Sequence, residues 1–135
     1  MCIRDRLGSI PQLTVWENLI ATDLPGQPTK EVHKKYCELL NEVSLFSHKD
    51  QLVQFLSGGQ RQILTLIIAK MRASEILLLD EPLASLDPYN TAIALSIIGA
   101  MHKSGKTILY ITHDQATANE NGNRVIKLNQ GQVVK

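Results

Sequence analysis

An α/β protein, with helices ahead of a parallel sheet, is what the apolar patterning of this chain predicts. Two short apolar runs, residues 76–79 and the β-branched 107–112, are preceded and separated by stretches whose apolar positions recur at helical spacing. From residue 57 onward the order is therefore helix, strand, helix, strand. That order sets the two strands parallel in one layer, joined by a crossover that general rules make right-handed. Residues before 57 read as helices joined by turns.

Each element has its own signal. Residues 1–6 show no periodicity, and Gly8, Ser9 and Pro11 mark a loop. Over 13–24, Leu13, Trp16, Leu19 and Ile20 keep helical spacing until Pro25, Gly26 and Pro28 break it, so a short helix ends in a turn. Thr29 then stands as the N-cap of an amphipathic helix of about four turns, at ~3.6 residues per turn. Its face carries Val32, Tyr36, Leu39, Leu40 and Val43, with Lys30, Lys34, Lys35 and Glu38 mostly elsewhere. The continuous run 76–79 is the pattern of a strand buried on both faces. Asp87-Pro88 opens a helix on which Ile93, Ile97, Ile98 and Met101 recur, and Ser104-Gly105-Lys106 turns it into 107–112. Residues 124–128 and 133–134, on either side of Asn129-Gln130-Gly131-Gln132, form a closing β-hairpin.

Composition removes several function classes. At 44% hydrophobic and 20% charged the chain is an ordinary globular one. With 14 Lys and Arg against 13 Asp and Glu, it has no broad field of one sign to attract nucleic acid or an anionic membrane. Any anion must be held by local groups. Cys2 and Cys37 have neither a CxxC partner nor a nearby His cluster, so neither a zinc site nor a disulfide scaffold is suggested, and a reducing compartment fits. The apolar stretches fall short of the ~18 to 20 residues a membrane span needs. Arg4, Asp5 and Arg6 stand where the apolar part of a signal peptide would lie.

Three segments carry chemistry. Leu56-Ser57-Gly58-Gly59-Gln60-Arg61-Gln62 directly precedes a helical pattern. Its core, Leu-Ser-Gly-Gly-Gln, arises by chance on the order of a few times in ten thousand in a chain of this length. Ser57 can cap the helix, the glycines let backbone N–H groups approach a ligand, and the helix start offers a phosphate both donors and partial positive charge. The other reading is an ordinary Ser-capped helix after a Gly-Gly turn. Second, the 76–79 strand runs into Asp80-Glu81-Pro82 at a carboxyl edge, where parallel sheets bind ligands. There Asp80 can hold Mg²⁺ and Glu81 can accept a proton from, or orient, an attacking water. Taken alone, the pair better suits a strand leaving the core for solvent; its spacing after the Ser-Gly-Gly-Gln segment reverses that preference. Third, Ala84-Ser85-Leu86-Asp87-Pro88 follows, and Ile111-Thr112-His113-Asp114 ends the next strand. His113 can reach a phosphate or a water that Glu81 positions; a surface histidine in a turn, and a helix-capping Asp87, are the plainer alternatives.

In that order, Leu-Ser-Gly-Gly-Gln, Leu-Leu-Leu-Asp-Glu-Pro, Ser-Leu-Asp-Pro and Ile-Thr-His-Asp resemble the C-terminal half of ATP-binding cassette (ABC) ATPases. The resemblance covers about residues 7–135, because Pro11-Gln-Leu-Thr-Val-Trp-Glu-Asn-Leu19 is also similar to the lead into that family's helical subdomain. It implies an incomplete P-loop NTPase-type parallel sheet with an N-terminal helical subdomain over 7–56 and the signature helix and core over 57–135. It further implies that Ser57, Gly58, Gly59 and Gln60 contact ATP bound to the opposite subunit. Asp80 becomes the Walker B acid, Glu81 the catalytic base, Asp87 the D-loop contact and His113 the switch histidine. Residues 122–126 with Gly131 look like subunits of bacterial importers for amino acids or other small solutes.

Two departures stand against the family pattern. No GxxxxGK[ST] occurs within these residues. Gly99 through Gly105-Lys106-Thr107 has five residues between its glycines and runs from helix into strand, the reverse of a P-loop. The Q-loop glutamine also has no counterpart, since Ile3, Arg4 and Asp5 stand there. Both departures predict that residues 1–6 are not the native continuation and that the reading frame is truncated, with weak or no ATP hydrolysis by this stretch alone. The resemblance implies an ATP- and Mg²⁺-dependent subunit that drives solute transport. Its partners would be a membrane permease, a second nucleotide-binding subunit and a solute-binding protein, at the cytoplasmic face of the cell membrane. A non-transport ABC ATPase acting on DNA or the ribosome is the alternative, opposed by the near-neutral charge and the lack of coiled-coil heptads or a basic stripe. An inactive fragment is the third reading.

Overall fold

The computed structural model describes residues 2–3, 8–22, 29–72, 74–84 and 86–134. After strand β1 (Cys2–Ile3) come helices α1 (Val15–Ile20) and α2 (Lys30–Glu42), then two 3₁₀ turns at Phe46–His48 and Val53–Phe55. The chain continues through α3 (Gly58–Met71), β2 (Ile76–Asp80), α4 (Pro88–Lys103), β3 (Thr107–Ile111) and α5 (Gln115–Asn121) to the hairpin β4 (Lys127–Asn129) and β5 (Gln132–Val134). The first three strands form a parallel sheet in the order β1-β2-β3.

Caps set the helix starts. Thr14 and Glu17 form a reciprocal capping box that begins α1 at Val15, so this helix is shorter than the predicted 13–24. The predicted break at Pro25, Gly26 and Pro28 lies outside the described residues. Thr29 caps α2 and Asp87 caps α4 with Pro88 at its first turn, both as the residue types predict. Buried Asn18 accepts from the Ile10 N–H at 2.6 Å and donates to the carbonyls of Ile10 and Thr14, fastening the loop before α1. Gly8 lies against α3, where a Cβ would stand 2.5 Å from Cγ2 of Thr65. At the hairpin, Gln130 (φ 49°) and Gly131 (φ 77°) both take the left-handed conformation that a two-residue turn requires. The first hairpin strand begins at Lys127 instead of 124.

One continuous core joins these parts. Val15 and Leu19 of α1, and Tyr36 and Leu40 of α2, meet the fully surrounded segment of α3 from Ile63 to Ala69. Leu77 and Leu79 of β2, with Ala94, Ile97 and Met101 of α4, complete it. The sheet departs from expectation here: Leu77 and Leu79 are buried, but Ile76, Leu109 and Ile111 are more than half exposed. Successive strand residues point to opposite faces. The helices cover the face that carries Leu77 and Leu79, and among the described residues the Leu109 and Ile111 face stays open. An apolar run thus identified the strand but not how many of its faces are covered. Cys2–Ile3 was legible to no periodicity rule, because two residues have none; pairing of Cys2 with Leu78 and Ile3 with Leu79 defines it. The predicted non-native start rests also on Met1 and on Arg4 to Arg6, which lie outside the described residues.

Candidate functional site

The helix tip at Ser57 is built by its own residues. Ser57 Oγ accepts from the Gln60 N–H at 3.2 Å, and Gln60 Oε1 accepts from the Ser57 N–H at 2.9 Å. This capping box consumes two of the terminal groups and leaves the N–H groups of Gly58 and Gly59 without an intrahelical acceptor. Ser57 and Gly58 are exposed, and a Cβ at Gly58 would meet nothing within 4 Å. The tip therefore faces outward, and an anion seated on it gains roughly 0.3 to 1 kcal/mol from the helix dipole. With its oxygen bound to Ser57, the Gln60 amide turns its NH₂ toward Nε2 of His48 at 3.3 Å. His48 is a contact that sequence reasoning missed, because its 3₁₀ turn carries no motif.

Asp87 stands beside this tip. Its Oδ1 accepts from the Asn90 N–H at 2.8 Å and its Oδ2 from the Asn90 side chain at 2.6 Å. These bonds hold the Asp87 carboxyl below the usual carboxylate range. Gly59 eases the approach of α4 to α3 here, since a Cβ would make a tight 3.1 Å contact with Nδ2 of Asn90. The capping alternative for Asp87 is thus realised as structure. Ser85, of the same predicted segment, lies outside the described residues.

Glu81 and His113 form a second group at the carboxyl ends of β2 and β3. The parallel register pairs Asp80 with Ile111, so the residues that follow leave the sheet side by side. Glu81 leaves it in a left-handed conformation, φ 46°, with its N–H donated to the Ile111 carbonyl at 2.9 Å. For a residue with a Cβ that conformation costs roughly 1–2 kcal/mol. Glu81 Oε1 accepts from the His113 backbone N–H at 3.0 Å and from His113 Nδ1 at 2.8 Å. A carboxylate can only accept, so the Nδ1 proton faces Glu81 and Nε2 points elsewhere. The hydrogen bond to Glu81, and then its charge, raise the His113 pKa above 6.5. Burial and the Glu81 charge likewise raise the Tyr110 phenol. A cavity of about 370 Å³ opens here, lined by Glu81, Tyr110, Thr112, His113, Asp114 and Thr117.

A pH dependence follows from the raised His113 pKa. The pairing contributes fully to folding below the unfolded value of 6.5 and is lost as pH rises through the higher folded value. An NMR titration of the His113 ring is expected to give a pKa above 6.5 that falls when Glu81 becomes Gln. A titration curve unmoved by that substitution would contradict the pairing.

Asp80, the last residue of β2, is half-buried beside this group. Among the described residues no cluster of three or more His, Cys, Asp or Glu side chains could hold a metal by itself. One carboxylate with the remaining positions left to water and phosphate oxygens is, however, the donor set Mg²⁺ takes at nucleotide sites. Among the described residues, a bond from Gln62 Nε2 to the Pro82 carbonyl, 3.1 Å long, links α3 to the turn after β2. Gln62 lies in the segment that sequence reading singled out, but it had no role there.

A family model described as "ABC transporter" matches residues 2–84, and this chain belongs to that family. The arginine transport ATP-binding protein ArtP of Haemophilus influenzae is 35% identical over 127 residues, covering 93% of this chain and 52% of that protein. The spermidine/putrescine import ATP-binding protein PotA of Thermotoga maritima is also 35% identical, over 93% of this chain and 34% of its own length. MacB of Brucella abortus, a macrolide export ATP-binding/permease protein, is 33% identical over 93% of this chain and 19% of its own. The chain therefore spans about half or less of the curated relatives it matches. A solved dimer of the ATP-binding cassette MJ0796, in a post-hydrolysis state with ADP and Pi, superimposes with a TM-score of 0.79 at 27% identity. It covers 99% of this chain and 60% of the solved one. Among the described residues no helix is long and apolar enough to cross a membrane.

Proposed function

We propose that this chain is the signature and hydrolytic part of an ATP-hydrolysing subunit that powers an ABC transporter. The observation that carries the proposal is the doubly bonded Glu81 and His113 pair at adjacent strand ends, with the Ser57 helix tip exposed apart from it. In this reading Glu81 orients and deprotonates the attacking water. His113, fixed through Nδ1, directs Nε2 toward the transferred phosphoryl group. Asp80 would hold Mg²⁺, which would supply neutralisation of phosphate charge.

Ser57, Gly58, Gly59 and Gln60 serve ATP bound by a second copy, and Asp87 lies at the same interface. A two-fold pair of subunits makes both sites equivalent. Residues 7–56 form the helical subdomain that meets a permease, and 57–135 the signature helix and core. The pair works at the cytoplasmic face of the membrane. The named activities of ArtP, PotA and MacB support transport, and they include both import and export. The finer assignment to an amino-acid importer with a solute-binding protein rests on residues 122–126 and Gly131.

Sedimentation of the intact protein that carries this chain tests the pairing. It is expected to dimerise with ATP and to return to monomer with ADP. A monomer at every ATP concentration would contradict the shared site.

A further inference from the structure

Glu81 and Pro82 make a turn that its own residues do not favour. Glu81 holds a left-handed backbone although it has a Cβ, and Pro82 has no N–H to contribute. Bonds from the end of β3, from the residues after it and from within the turn restrain it. Glu81 N–H reaches Ile111, Glu81 Oε1 takes the His113 N–H and Nδ1, and the Ala84 N–H returns to the Glu81 carbonyl at 3.1 Å. Another comes from a different element. Pro82 is buried, and its carbonyl accepts from Nε2 of half-buried Gln62 on α3. Because a carbonyl only accepts, the amide orientation of Gln62 is settled, and loss of the donor removes the restraint that α3 places on the turn.

Gln62 also sits five residues after Ser57, about 7.5 Å along the same helix at 1.5 Å per residue. It is therefore fixed relative to the exposed tip. We infer that Gln62 is a positioning residue for Glu81: its bond to Pro82 sets the turn that aims the carboxylate, and it does so from the helix whose tip serves the second copy. This rests on the reading of Glu81 given above. Gln62 touches no reacting atom, and its effect passes through the Pro82 carbonyl.

The test uses steady-state ATP hydrolysis by the intact protein. Gln62→Met keeps the length of the side chain and removes the donor. It is expected to lower kcat on the order of tenfold, the factor carried by one ordinary hydrogen bond, with KM for ATP within about twofold. Gln62→Lys, which again offers a donor at similar reach, is expected to restore most of kcat; a purely structural role would give no such rescue. Where the Met variant fails to fold, Gln62→Glu replaces the donor with an acceptor while keeping a polar group, and the same loss is expected. An unchanged kcat in the folded Met or Glu variant, or no rescue by Lys, overturns the inference. Glu81→Gln is assayed in parallel. If it still hydrolyses ATP, the reading of Glu81 falls; if it is inactive while Gln62→Met is not impaired, only the role of Gln62 falls.

Discussion

Glu81→Gln in the intact protein is expected to lower kcat for ATP by roughly 10²–10⁴-fold, the usual contribution of a positioned general base. The substitution preserves shape. An amide oxygen can still accept the His113 backbone N–H, which now lies 3.0 Å from Oε1. What disappears is the charge and basicity that a water needs, along with the anion that raises the His113 pKa. ATP affinity is expected to stay within a few-fold, because Glu81 meets the water and not the phosphate chain in this reading. Equilibrium binding and single-turnover hydrolysis, measured on one preparation, separate the two effects. Turnover near that of the unaltered protein would remove Glu81 from the chemistry.

Ser57→Arg is expected to abolish ATP-driven dimerisation and to reduce hydrolysis on the order of 100-fold or more, the scale on which a donor to developing phosphate charge acts. A long guanidinium at this exposed N-cap has room within its own chain, since Gly58 beside it faces open space. The obstruction falls on whatever approaches the tip from outside. Loss of the cap itself costs roughly 0.5–2 kcal/mol of helix stability. Ser57→Ala has the same local cost without the bulk, so the difference between the two variants isolates the outside contact. Normal dimerisation of the Arg variant would count against a tip that serves a second copy.

The helices that open on a strong N-cap were legible in the chain. Thr29 and Asp87-Pro88 state where α2 and α4 begin, and the apolar positions that follow state which face is buried. The pairing of β2 with β3 was legible too, because two apolar runs flanking a helix have few other arrangements. Helix α5 was not. Gln115–Asn121 has no apolar residue larger than Ala116 and Ala118, none of it is buried, and only the Asp114 cap marks its start. The closeness of Glu81 and His113 could be read from strand register, but the left-handed turn at Glu81 could not, since Glu is an unusual choice for it. Nor does any motif show that Gln62 reaches Pro82, twenty residues on. Such bonds depend on how α3 lies over the strand end, which is decided by packing across the whole core.

The most direct measurement is a structure of the intact Glu81→Gln protein with ATP and Mg²⁺. Two nucleotides are expected to be buried between two copies. Each triphosphate should face residue 81 and His113 of one copy and the Ser57 to Gln60 amides of the other. A nucleotide that meets Ser57 and residue 81 of the same copy, or one that leaves every Ser57 tip in solvent, would contradict it.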